Sequence, residues 1–279
     1  MAISLSDVKR NVMGPPRLLI YGVAGIGKTT LGACAPDAIW IPAEDGLAGL
    51  DVEAFPKPDT LDDTIACMQA LVDEDHNYRW LVIDSTSAIG DQIDSWVVEN
   101  VPHEKGHQVT NLEGYGYGKG LKQHVPDAWR SFRDGLDAIR AKGMGVILIG
   151  HNSVEKFEDP ETDPYDRHQL AINRFAEPVI YDWCDAVLFL NYRVRAVEKA
   201  GSDRRRGTGT GERRIYTQER PGFKAKNRYR MPFEIELAND DPQAAWSVIE
   251  QCIGDAAGTA EKPQKPKSRK AKATAAAAE

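Results

Sequence analysis

The segment Gly22-Val23-Ala24-Gly25-Ile26-Gly27-Lys28-Thr29 spaces glycine, lysine and threonine as GxxxxGK[ST], between the apolar run RLLIY and the helix-like KTTLGACA. Glycine at these positions lets consecutive backbone N–H groups curl around phosphate oxygens, and the following helix turns its positive end toward them. In this pattern Lys28 reaches the β- and γ-phosphate oxygens, Thr29 ligates Mg²⁺, and Thr30 continues the cradle. The implied ligands are ATP, or a close relative, and Mg²⁺.

Two carboxylates stand where such a loop needs them. Trp80-Leu-Val-Ile-Asp84-Ser85 is an apolar run ending in an acid, the form taken by a second Mg²⁺-orienting group. A buried strand also ends in Asp as a turn or helix cap, which is the plainer reading of Asp84. Ile39-Trp-Ile-Pro-Ala-Glu44-Asp45 places Glu44 just past a strand end. At the C-terminal edge of a parallel sheet it would face the γ-phosphate, where a base for water is required. Its alternative is a solvated acidic turn.

From Glu44 onward the residues resemble the RecA-like recombination ATPases, whose catalytic glutamate follows this strand in a similar Ala-Glu context. The resemblance makes Glu44 the water-activating base. It makes His151 or Asn152, ending the run Gly145-Val-Ile-Leu-Ile-Gly150, a γ-phosphate sensor. Lys224-Ala-Lys226-Asn227-Arg228-Tyr229-Arg230 resembles the Lys-Asn-Arg-Phe element of bacterial RadA-type proteins and the Lys-x-Arg element of related ring ATPases. That implies Lys226 and Arg228 acting on a neighbouring subunit's nucleotide, as arginine fingers do. The order of elements, over about residues 15 to 235, looks like the phage-encoded RecA-like ATPases of single-strand annealing (the Sak type). Those are minimal cores without the N-terminal oligomerisation region and large C-terminal domain of full-length RecA. The resemblance implies single-stranded DNA as partner, a homo-oligomeric ring or filament with nucleotide between subunits, and a single-strand-binding protein among its contacts.

Candidate DNA-binding residues follow from composition. Tyr115, Tyr117 and Lys119 lie in Gly114-Tyr-Gly-Tyr-Gly-Lys-Gly120, which joins stacking rings and a cation to a freely bending backbone. Arg204, Arg205 and Arg206 lie in a stretch from Arg193 to Arg214 with eight basic and three acidic residues, suited to phosphates without base readout. A packing loop and a solvated charged surface are the corresponding plain readings.

Short apolar runs at Leu18–Tyr21, Ala38–Pro42, Trp80–Asp84, Gly145–Gly150 and Ala186–Leu190 alternate with amphipathic segments. That alternation predicts an α/β fold with a mainly parallel central sheet and helices on both faces, and the resemblance makes it a RecA-like P-loop core. Leu61, Ile65, Met68 and Leu71 are expected on one helical face, and Trp129, Phe132, Leu136 and Ile139 on another. Tyr192–Glu198 and Glu212–Glu219 read as a C-terminal β-hairpin with a Gly/Arg-rich mobile tip, followed by a short helix near Gln243–Cys252. The expected organisation is an N-terminal segment 1–16, a core 17–254 with the hairpin region 191–220, and a disordered basic tail 255–279.

The net charge of -7 argues against a uniformly nucleic-acid-attracting surface, so binding would rest on local clusters. The four cysteines form no CxxC pair, no apolar run approaches the roughly 20 residues that span a bilayer, and the N-terminus has no signal-peptide core. A soluble protein of the host cytoplasm, without membrane contact, is the expectation. A small-molecule P-loop kinase and an ATP-dependent assembly scaffold are the alternative functions.

Overall fold

The computed structural model describes residues 4, 13–198 and 205–258, without the side chains of 194–210 and 258. Strand β1 (Arg17–Gly22) leads through the glycine loop into helix α1 (Lys28–Gly32), then β2 (Ala38–Pro42) and the two-residue β3 (Glu53–Ala54). Next come α2 (Leu61–Asp73), β4 (Trp80–Asp84), α3 (Thr86–Asn100), α4 (Val125–Ala141), β5 (Gly145–Phe157), β6 (Tyr165–Leu170) and α5 (Glu177–Trp183). The chain then forms β7 (Ala186–Glu198), β8 (Arg205–Tyr216), β9 (Lys226–Asn227), β10 (Glu234–Glu236) and α6 (Pro242–Gly258).

The strand order is β10-β8-β7-β1-β5-β4-β2-β3, parallel from β7 to β3 and antiparallel at β8 and β10. Both faces are covered, so the central strands carry continuous apolar runs instead of alternating. Leu19, Tyr21, Ile41, Ile83 and Leu148 pack with α2 to α5, while Leu18, Ile20, Trp40, Val82 and Ile149 pack with α1 and α6. The expected α/β fold with a mostly parallel sheet and helices on both faces is the observed one.

Local sequence explains the helices that cover the sheet. Thr60 caps α2 and forms a reciprocal capping box with Asp63. A π-helical turn (Gly120–His124) runs directly into α4, with Pro126 at the junction, and Trp129, Phe132, Leu136 and Ile139 are all buried. The α2 stripe differs from expectation. Thr64 takes the buried position, donating to Gln92 Oε1 at 2.8 Å, while Ile65 is 44% exposed on the rim of a groove against α4.

Three elements extend beyond their expected bounds. Strand β5 continues past Gly150 and pairs antiparallel with β6 through Asn152–Leu170 to Phe157–Tyr165, although both segments are polar. Residues 205–209 are not a hairpin tip, because they pair with 194–198 as part of β8. Helix α6 runs to Gly258, four residues into the segment expected to be tail. The remainder of that tail and Arg204 lie outside the described residues.

Candidate active site

The parallel strands β1, β2 and β4 end together beside the point where β5 passes His151, and this edge carries the chemistry. At the end of β1, Gly22 is pressed against β7, where an added Cβ would sit 2.1 Å from the Leu190 carbonyl oxygen. The loop from Val23 to Gly27 then turns back into α1. Gly27 adopts φ 102°, a left-handed conformation that a side chain strains, and its carbonyl accepts from Leu31 N at 2.9 Å to start the helix. Ile26 anchors the loop by full burial, whereas Ala24, Gly25 and Thr30 face solvent.

Lys28 is almost fully buried, with Nζ donating to the carbonyls of Gly22 and Val23 at 3.1 Å each. Desolvation pulls its ammonium below the usual lysine range, opposed by the charges of Asp84 and Glu44. One residue on, Thr29 Oγ1 donates to Asp84 Oδ2 at 2.7 Å. Burial raises the Asp84 carboxyl above its ordinary value, with the Thr29 hydrogen bond opposing. A hydroxyl and a desolvated carboxylate held side by side at a phosphate loop form a hard-oxygen donor set suited to Mg²⁺.

The third group comes from β2 and β5. The backbone N–H groups of Ala43 and Glu44 both donate to the Asp84 carbonyl, at 2.7 and 3.2 Å, locking Glu44 beside β4. Its carboxylate accepts from Ser85 Oγ at 2.9 Å and lies 3.0 Å from His151 Nε2 through each oxygen. His151 is brought there because β1 and β5 pair with Gly22 opposite His151. Its backbone N–H donates to Ser87 Oγ at 3.3 Å. Asn152, the alternative sensor, instead contacts His168 Nδ1 at 3.0 Å.

The match between this chain and the AAA domain family model spans residues 14–229. The chain belongs to the AAA domain family. This family supports nucleotide-binding ATPase activity, and its match encloses the loop, both acids and the His151 strand. No curated protein matches the chain.

In this AAA domain the remaining sequence-predicted residues lie elsewhere. Lys226 and Arg228 flank Asn227, which pairs with Ala186 at the start of β7. Since Gly22 pairs with Leu190, they sit about 13 Å along the strand from the phosphate loop, at the opposite end of the sheet. Lys226 Nζ donates to the carbonyls of Tyr181 and Asp182 at 3.1 and 2.8 Å, and Arg228 pairs with Asp185 at 3.0 Å.

Tyr115 requires a correction. Its ring is buried, and its hydroxyl donates to the carbonyls of Val97 and Val101 at 2.8 and 2.6 Å, so it packs the loop onto α3 instead of offering a stacking face. Gly120 permits that close packing, since a Cβ there would lie 2.9 Å from the Tyr115 ring. Tyr117, at φ 51° between Gly116 and Gly118, is 99% exposed, and Lys119 pairs with Glu104. Arg205 and Arg206 lie in β8, opposite Glu198 and Val197.

Sequence reasoning passed over two site residues. Ser85 was readable only as a helix cap. It does accept from Ala88 N at 3.3 Å, but its hydroxyl also holds Glu44. Arg213, read as one charge in a basic stretch, donates through Nη1 to Ile26 O at 3.1 Å in the phosphate loop.

Proposed function

We propose that this protein is a Mg²⁺-dependent ATPase that binds single-stranded DNA and promotes strand annealing in phage recombination, working as a ring or filament with nucleotide between subunits. The observation that carries the catalytic part is the meeting of Glu44, Ser85 and His151 on the sheet edge that also holds Lys28, Thr29 and Asp84.

In this reading the loop N–H groups and Lys28 bind the triphosphate. Thr29 and Asp84 hold Mg²⁺, which supplies charge neutralisation of the phosphate oxygens when bound. Glu44 takes the proton of a water as its oxygen bonds to the γ-phosphorus, the bond to the β,γ-bridging oxygen breaks, and ADP and phosphate leave. Ser85 and His151 fix the direction of the carboxylate, and in the same reading His151 registers the γ-phosphate.

The DNA part draws on Tyr117, whose ring is exposed on a glycine-flanked turn, and on the basic β7–β8 pair, since single strands are held by stacking and cation contacts. Half-exposure of Arg228 favours its reach toward another subunit. The deciding experiment is ATP hydrolysis by the purified protein with and without single-stranded DNA, at low and moderate salt, with Lys28→Ala as control. Lys28-dependent hydrolysis stimulated by DNA is the expected result. Hydrolysis indifferent to DNA, with no DNA bound at low salt, would remove the recombination reading and leave an ATPase.

A further inference from the structure

Arg213 differs from the cations around it. Arg193 pairs with Glu212, Arg214 with Glu212 and Glu236, Lys224 with Glu177 and Arg228 with Asp185. Among the described residues no carboxylate pairs with Arg213. Its guanidinium is half-buried and spans two backbone carbonyls, Ile26 O at 3.1 Å and Ala238 O at 2.8 Å, while its buried Nε has no partner. It also lies against the glycine that begins α1, since a Cβ on Gly27 would approach Nη1 to 2.6 Å.

A guanidinium is charged at every accessible pH, and holding it half-buried without a counter-charge is costly. The cost is removed when a polyanion arrives within a few ångströms, where Coulomb attraction exceeds its value in bulk water several-fold. Among the described residues, the phosphate loop is the place beside Arg213 built to receive such an anion. We propose that Arg213 is the second protein cation of the nucleotide site, its charge balanced by the bound phosphates, and that it links loop occupancy to β8. The link is direct, because one side chain joins β8, the loop carbonyl and Ala238, two residues past β10. This inference rests on the nucleotide-binding reading of the loop and adds to it a residue from the strand pair that bears the basic stretch.

The test is binding of ATP, ADP and adenosine to the full chain, wild type and variant, with the thermal midpoint of each ligand-free protein as the structural control. Arg213→Gln should weaken ATP about tenfold, the loss of one charge-assisted contact. ADP should weaken less, adenosine should be unchanged, and the ATP defect should shrink with added salt. Arg213→Lys keeps the charge without spanning both carbonyls and should recover most of the ATP affinity. Equal weakening of ATP and adenosine, or wild-type ATP affinity in a folded Arg213→Gln protein, would overturn the proposal. If Arg213→Gln does not fold, Arg213→Lys decides alone: an ATP loss of tenfold with adenosine intact overturns the counter-charge, and near-wild-type affinity supports it. Failure of the underlying reading looks different. Wild-type protein that binds no ATP, or Lys28→Ala that binds it normally, would remove both.

Discussion

Glu44 and His151, 107 residues apart in the chain, meet with both carboxylate oxygens 3.0 Å from the imidazole Nε2. The contact exists because β2 and β5 both run parallel to β4, so that Glu44, just past the end of β2, and His151, within β5, reach the same edge. If Glu44 is the base for water, Glu44→Gln should lower turnover about 100-fold while ATP binding stays near wild type. His151→Ala leaves the base itself in place and should cost less. Phosphate release, measured beside nucleotide binding, checks both, and weakened binding equal to the fall in turnover would count against the role of base.

The Thr29–Asp84 pair makes a separate prediction. Asp84→Asn should abolish the gain in ATP affinity on adding Mg²⁺, with affinity in chelator little altered. Lys28→Ala should lose affinity in both conditions, since its ammonium serves the phosphates themselves. Titration with a fluorescent nucleotide, with Mg²⁺ and with chelator, separates the two.

Asp185 organises the opposite end of the sheet. Burial pushes its carboxyl up, but Arg17, bonded at 2.6 and 3.0 Å, and then Arg228 and Tyr229 hold it below the ordinary range. Its stabilising effect is therefore present above the usual carboxylate range and lost as pH falls through the depressed folded value. Asp185→Ala, which strands Arg17, should destabilise by about 3 kcal/mol. Arg228→Ala removes a half-exposed partner and should cost about 1 kcal/mol or less. Denaturant unfolding measures both. If Arg228 serves a neighbouring subunit, Arg228→Ala should also spare ATP binding but lower turnover.

Asp94 predicts the opposite pH dependence. Burial, and then the nearby charge of Asp91, push its carboxyl up to about 6, and its buried Oδ1 has no partner. Because the folded value is raised, the ionised form costs stability, fully so above about pH 6 and not at all below the ordinary value of 3.8. Asp94→Asn should therefore stabilise the protein at pH 7 and be neutral near pH 3.5. Thermal unfolding across that range checks the crossover.

The sequence carried much of this protein on its face. The loop from Gly22 to Thr29 was legible because phosphate binding fixes residue type and spacing within one short segment, and β2 and β4 had the bounds expected from their apolar runs. The α4 stripe was equally plain, since burial at 3.6-residue spacing leaves a one-dimensional trace. Polar strands leave none, which is why β6 and the first half of β8 were not foreseen: their pairing is made by backbone groups that any side chain permits. Tyr115 illustrates the same limit, because a tyrosine between glycines suits an exposed ring and a buried one alike, and only the packing of α3 beneath it selected burial. Composition could set the residue types of the site, but not their neighbours. That Ser85 and His151 grip Glu44, and that Arg213 reaches the loop from β8, depends on strand order and register. Those contacts join residues 41 to 187 positions apart, and only the assembled sheet brings them together.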